Sequence, residues 1–503
     1  MNIRASVAAV VLLGGAVVAA APSPAVIKVR EWRVAHERQI LAELIQLVSL
    51  PNIASNKADI LRNADALTVM FEKRGFTVAR IATPGSPVLV ARRDAPKATG
   101  TLTFYMHYDG QPTDPAGWTM GAPFAPKAFK GQAPFDLATA TGPIDPEVRV
   151  YARAVADDKG PIVAFLAAMD GLDETRAAVP WSLRIVLDGE EEAGSPNFTA
   201  AMTANAAAVR SDLAVVVDSP RHPSGLPTVF YGSRGVTGAE ITIYGATGDL
   251  HSGNYGNFVT DPAMALTKLI ASMKDDAGDV VIKGFYDGVV PLTAAERRAI
   301  DEIPNVDQKL LEQFGLAKAE HPDSRIELQH NRPTLTVAGL QSGTVGANAR
   351  NAVSGTATGR VEMRLVNGLD EKTQFDRLVA HIREQGYFLV NGPPDAATRR
   401  THPKIARVTP TEKGFPIGKG NMEDPRTVMA ANAIRALDQR LVQMPTIGGS
   451  LPFSTFNDAL KLPTIGLAVV NFDNNQHAVN ENLRVGHLWE AIDIFAALVT
   501  MAR

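Results

Sequence analysis

The sequence predicts an α/β protein interrupted by an inserted α+β domain, and three observations predict it. Short apolar, β-branched runs alternate with amphipathic helices in the first 223 residues and in the last hundred or so. Between residues 224 and 404 the strands change character and alternate apolar with polar positions, the mark of a sheet with one wetted face. The residues able to carry chemistry stand at or just beyond the ends of the apolar strands, where open α/β sheets form ligand sites. A chain of 503 residues is also long enough for more than one core.

The elements follow in order. Residues 1–25 read as a secretory signal: Arg4 is the positive end, Val7–Ala21 is a run of Ala, Val, Leu and Gly, and small residues around Ala19–Ala21 precede Pro22. The run is shorter than the about 20 apolar residues a membrane span needs. The expectation is therefore a secreted protein, periplasmic if the source is a Gram-negative bacterium, with no membrane attachment after cleavage. Val26–Leu50 reads as an amphipathic helix ending at Pro51, and Ala58–Arg74 as another closed by Gly75. Thr101–Met106 is a strand leading into His107. Pro161–Met169 is a helix following Asp157-Asp158-Lys159-Gly160. Ser182–Leu187 is a strand leading to Asp188-Gly189 and three glutamates, Leu213–Val217 a strand ending at Asp218, and Thr464–Val470 a strand entering the polar loop that holds His477. These form one body in two pieces, 26–223 and 405–503. The inserted domain, 224–404, carries alternating strands at Gly238–Tyr244 and Gly359–Leu365 and helices at Pro262–Met273 and Lys372–Glu384.

Composition removes several functions. The absence of cysteine excludes disulfides, thiolate metal sites and cysteine nucleophiles. A net charge of −3 with no basic stripe argues against a nucleic-acid partner.

Taken singly, the candidate residues are ordinary: a His after a strand, an Asp closing one, a glutamate run in a loop. Their joint placement is not. His107, Glu190-Glu191-Glu192, Asp218 and His477 each follow a strand, and Asp157 opens a helix. Two histidines with several carboxylates and no cysteine suit zinc, with manganese or cobalt as alternatives. Two such ions about 3.5–4 Å apart would share a bridging carboxylate and a water.

Five strings in order, His107–Pro112 (HYDGQP), Tyr151–Pro161 (YARAVADDKGP), Asp188–Ser195 (DGEEEAGS), Val215–Ser219 and Asn475-Gln476-His477, resemble the motifs of the M20 metallopeptidases. That family includes carnosinase-like dipeptidases, glutamate carboxypeptidase-like enzymes and N-acyl-amino-acid deacylases. The resemblance implies a zinc-exopeptidase-like catalytic domain, its mixed central sheet flanked by helices, with an inserted two-layer α+β lid that makes a homodimer. It implies that His107 and Asp218 hold one metal, Glu192 and His477 the other, and that Asp157 bridges them. Glu191 would be the general base and acid, Asp109 would orient His107, and Glu190 would be an extra member.

Gly248–Gly256 (GDLHSGNYG) resembles the lid motif that brings a histidine, here His251, over a site, in the carnosinase-like branch from the partner subunit. Asn351, Gly449 and Ser450 fall where that family contacts substrate. Two departures stand out: Ala154 where glycine is common, and Gly355 where an arginine that grips the substrate carboxylate is expected, with Arg350 and Arg360 as the nearby replacements. The implied function is hydrolysis of amide bonds in short peptides, as a dipeptidase or carboxypeptidase. N-acyl-amino-acid deacylation on the same scaffold is the alternative, and a non-catalytic peptide binder a remote third; the retained base Glu191 speaks against the third.

Overall fold

A computed structural model describes residues 21–411, 414–438 and 440–503. The expected signal segment lies outside these, apart from its last five residues. Among the described residues no helix is long and apolar enough to cross a membrane.

The larger layer is an eight-stranded sheet in the spatial order 77–81, 88–93, 181–188, 100–107, 213–217, 464–468, 228–230, 442–444. Its four middle strands, Trp181–Asp188, Gly100–His107, Leu213–Val217 and Thr464–Ala468, run parallel to one another. Leu213–Val217 and Thr464–Ala468 are buried along their whole length, as their unbroken apolar sequences require.

Alternate strand residues feed two separate cores. Leu102, Phe104, Met106, Ile185 and Val215 face one with the helices Pro24–Val48, Lys159–Glu174 and Val485–Thr500. Tyr105, Val186, Ala214 and Val216 face the other, with Phe198, Phe453 and Phe456. Lys159–Glu174 is apolar nearly all round because it is enclosed by the two other helices as well as the sheet. Its Phe165 meets Phe71, Phe76, Phe104 and Phe495 at centroid separations of 5.4–6.3 Å.

The inserted domain has a five-stranded sheet in the order 334–341, 356–365, 235–244, 405–410, 388–389, antiparallel except for the last pair. Ala357, Gly359, Val361, Met363 and Leu365 lie on the side of a core under the helices Pro262–Ala271 and Glu371–Glu384, while the residues alternating with them face away. Thr228–Phe230, beyond the expected boundary at 224, still belongs to the central sheet, and Ile405–Pro410, beyond the expected boundary at 404, belongs to the second sheet.

Candidate metal centre

The four parallel strands end at one edge, and their sequels deliver the site. His107 is the last residue of its strand, fully buried and in register with Asp188. Asp218 directly follows Leu213–Val217. Glu191 and Glu192 lie in a single helical turn after Trp181–Asp188.

That turn is shaped by two buried aspartates. Asp188 accepts the Glu190 N–H (3.0 Å) and the Ser195 hydroxyl. Asp109 accepts the N–H groups of Glu191 (3.1 Å) and Glu192 (3.0 Å), and its Oδ1 stands 3.3 Å from Nδ1 of His107. Asp109 therefore holds Glu191 and Glu192 by hydrogen bonds and stands beside His107, where only a role toward His107 was foreseen. Glu190 turns away: its carboxylate accepts from the Ser86 N–H (2.7 Å) and the Asn197 amide (2.8 Å), so it braces the turn and leaves Glu191 and Glu192 facing the cleft.

Asp157 sits in a loop held by Glu481, a fully buried carboxylate from the far end of the chain. Glu481 accepts from Arg153 Nη1 (2.7 Å) and from the N–H groups of Ala154 (2.9 Å), Ala156 (3.1 Å) and Asp157 (3.2 Å). Ala154 has φ +60°, a left-handed conformation that glycine adopts at lower cost, which is the physical content of glycine being common there. Lys159 is wholly buried and ties the same loop to the first helix by donating to the Leu47 (3.0 Å) and Leu50 (2.8 Å) carbonyls. His477 is left-handed too (φ +63°), in a turn where Asn474 accepts the N–H groups of Gln476 and Asn482. A non-glycine residue there costs about 1–3 kcal/mol and persists only where its surroundings fix it.

These elements converge on Asp157. Its Oδ1 lies 2.8 Å from Nε2 of His107 and its Oδ2 3.0 Å from Nε2 of His477. Asp218 is 3.8 Å from the same His107 nitrogen, and Glu192 is 3.2 Å from the same His477 nitrogen. One carboxylate thus faces two imidazoles, each with its own second carboxylate. Donor atoms of His107, Glu191 and Asp218 cluster within 4.8 Å of one another, as do those of His107, Asp157 and Glu192.

The charge balance tests whether metal ions fit. Asp157, Glu191, Glu192 and Asp218 bring four negative charges into a buried edge, and the two rings can offset two at most. Burial pushes Asp218 up to about 7. Burial, with the charge of Asp218, raises Glu191 well above the usual carboxylate range. Burial and Asp157 raise Glu192. Burial works against Asp157 as well, but its bonds to His107 and His477 outweigh it and hold that carboxyl below the usual range. Bonds to Asp157 and Glu192 carry the half-exposed His477 up to about 10. Left to itself the site gathers protons to offset its charge; two divalent cations would supply the four positive charges that deprotonated carboxylates and neutral imidazoles require. The donor set fits such ions.

A cavity of about 570 Å³ opens over this centre, with Asp157, Glu191, Glu192, Asp218 and His477 on one side and Arg364, Gly449 and Ser450 among its other lining. Arg364 donates to Ser450 Oγ (2.8 Å) and to Glu362 (2.8 Å). Neither Arg350 nor Arg360 is among the described lining of the cleft. Arg350 pairs with Asp249 (2.8 Å), whose carboxylate also accepts the Gly355 N–H (3.1 Å), and Arg360 is exposed; the arginines lining the cleft are Arg364 and Arg221, and Arg221 is paired with Glu490. Its signal was the wet-face alternation of that strand. His251 and Asn351 are exposed and are not among the described lining of the cleft in their own chain. They are neighbours instead: the Ser252 N–H donates to the Asn351 carbonyl (3.0 Å), and Leu250-His251 pairs with Ala352-Val353.

Three comparisons agree with this geometry. The sequence pattern of Peptidase family M20/M25/M40 matches residues 103–501. The Cys-Gly metallodipeptidase of Schizosaccharomyces pombe is 24% identical over 481 residues, covering 92% of this chain and 95% of that protein. Human Beta-Ala-His dipeptidase is 24% identical over 426 residues, covering 82% and 77%. Among solved structures, the M20 family metallo-carboxypeptidase Sso-CP2 from Sulfolobus solfataricus superposes with a TM-score of 0.76 at 25% identity, covering 92% of this chain and 98% of that one.

Because Glu481 holds the backbone of Asp157, Glu481→Ala should weaken divalent-cation binding by about ten- to hundredfold, the usual effect of removing a group that orients a metal ligand. Calorimetric titration of the metal-stripped protein checks this, and an unchanged affinity contradicts the clamp.

Proposed function

The chain belongs to peptidase family M20/M25/M40, and we propose that it is a two-metal peptidase that releases the C-terminal residue of dipeptides and other short peptides. The observation that carries this reading is the single carboxylate of Asp157 set between His107 and His477, with Glu191 beside it and Arg364 across the cleft. His107, Asp157 and Asp218 would hold one ion and Glu192, Asp157 and His477 the other, zinc being the best match to an imidazole–carboxylate set. Bound there, the ions supply Lewis-acid activation of a water and of the scissile carbonyl.

The protein supplies the rest. Glu191, raised by burial and by Asp218, takes the proton of the attacking water and passes it to the departing amine. Arg364, oriented by Ser450 and Glu362, offers a planar donor pair to the carboxylate of the departing residue, the geometry arginine favours. Asn351 and Gly449 complete the substrate contacts in this proposal, Asn351 together with His251 from the neighbouring subunit.

His251 stands exposed on the lid. That supports a homodimer in which the partner subunit's His251 reaches the cleft and stabilises the developing oxyanion. The N-terminal apolar run supports export from the cytoplasm.

Chelation should abolish hydrolysis of short peptides, and zinc, manganese or cobalt should restore it. Glu191→Gln should keep its metal content while kcat falls by about 10²–10⁴, the usual contribution of general acid–base catalysis. Full activity without metal, or near-normal turnover in the variant, would refute the mechanism; hydrolysis of N-acyl amino acids but not of peptides would refute the substrate. Mixing Glu191→Gln with His251→Ala subunits should recover activity that neither variant has alone, and no recovery on verified subunit exchange would contradict the shared site.

A further inference from the structure

Arg364 and Ser450 fix where a substrate carboxylate sits, and their neighbours decide which residue can carry it. Val236 lies directly opposite Arg364 in the antiparallel pair, so the two side chains stand on the same face. The Phe415 carbonyl accepts the Val236 N–H (3.2 Å), which sets Phe415 alongside. Ile447 and Leu451 come from the loop that bears Ser450, and all four residues line the cleft. Ile447 and Leu451 also belong to the second core of the central sheet, whereas Phe415 is buried but belongs to none of the three hydrophobic cores. The charged groups of the cleft lie at the metal centre or are already engaged. Arg364 is held by Glu362 and Ser450, Arg221 by Glu490, and Glu327 by His222 (3.0 Å) and Arg325 (3.0 Å).

Resting on the peptidase reading above, we infer that Val236, Phe415, Ile447 and Leu451 form the wall for the side chain next to the terminal carboxylate, and select peptides ending in a large aliphatic or aromatic residue. A terminal glycine leaves this wall wet. A terminal lysine brings an ammonium against apolar surface with no carboxylate to receive it. A leucine or phenylalanine displaces water from both surfaces. A single methylene in such a pocket is worth roughly tenfold to two-hundredfold in kcat/KM, so a whole side chain should be conspicuous.

The test is kcat/KM of the metal-loaded full chain for Ala-Leu, Ala-Phe, Ala-Gly and Ala-Lys. Ala-Leu and Ala-Phe should exceed Ala-Gly and Ala-Lys by at least about tenfold. Phe415→Ala should cut the Leu-over-Gly ratio by about fivefold or more, mostly through KM, and Phe415→Leu should restore most of it. Val236→Ala, at a half-buried position, should lower the same ratio by about twofold, and serves if Phe415→Ala does not fold. Hydrolysis of Ala-Gly or Ala-Lys as fast as Ala-Leu, or a ratio untouched by these variants, overturns the inference and leaves the peptidase reading standing. Failure of the metal-loaded protein to cleave any of the four overturns both.

Discussion

The structure depends on one electrostatic constraint: four carboxylates and two imidazoles are held together where the parallel strands of a mixed sheet end. Desolvating like charges at such distances is costly, so the surrounding protein is organised to fix each donor and leave the excess charge for a cation. Asp109 and Asp188 fold the glutamate turn, Glu481 folds the loop of Asp157, and an asparagine-rich turn holds His477. Left-handed non-glycine residues occur in all three segments, Ser195 in the first, Ala154 in the second and Asn475, His477 and Asn480 in the third, where hydrogen bonds fix the backbone.

The constraint also links distant parts of the chain. His107, Asp157, Glu191, Glu192 and Asp218 precede the inserted domain, and His477 and Glu481 follow it, so the centre exists only after the sheet has been completed by its last strands. Lys159 adds the first helix to the same unit, because its buried ammonium has the Leu47 and Leu50 carbonyls as hydrogen-bond partners. Inserting the second domain at the sheet edge places Arg364 opposite the metal ligands. In the proposed reading one side of the cleft carries the chemistry and the other chooses the substrate.

Much of this was legible in the sequence, for a physical reason. Apolar strands are easy to see, and a strand's end says where the next residue lies; that is why His107, Asp218 and Glu191-Glu192 could be gathered before any coordinates. The residues that escaped depend on tertiary placement. Arg364 sits in an alternating strand whose outer face becomes a cleft wall only because the inserted domain covers the site. Glu481, four residues after His477, looks like part of a polar loop until its burial is known. Val236, at the entrance to the second sheet, and Phe415, past its last strand, gain meaning only from their position beside Arg364. His251 and Asn351 matched a motif, yet their own chain leaves both exposed, so their contacts are set by whatever the lid meets. Thr228–Phe230 and Ile405–Pro410 lie across the expected domain limits because their pairing is with strands remote in sequence.

The central claim is that Asp157 joins two cation sites into one. Metal content per chain, measured by plasma mass spectrometry on extensively dialysed protein, tests it most directly when the native chain is compared with Asp157→Ala. The account predicts two divalent cations per chain in the native protein and loss of both from the variant, because each cation would lose a ligand and the two would repel one another without the shared carboxylate between them. A native content of one, or a variant that still retains two, would contradict it.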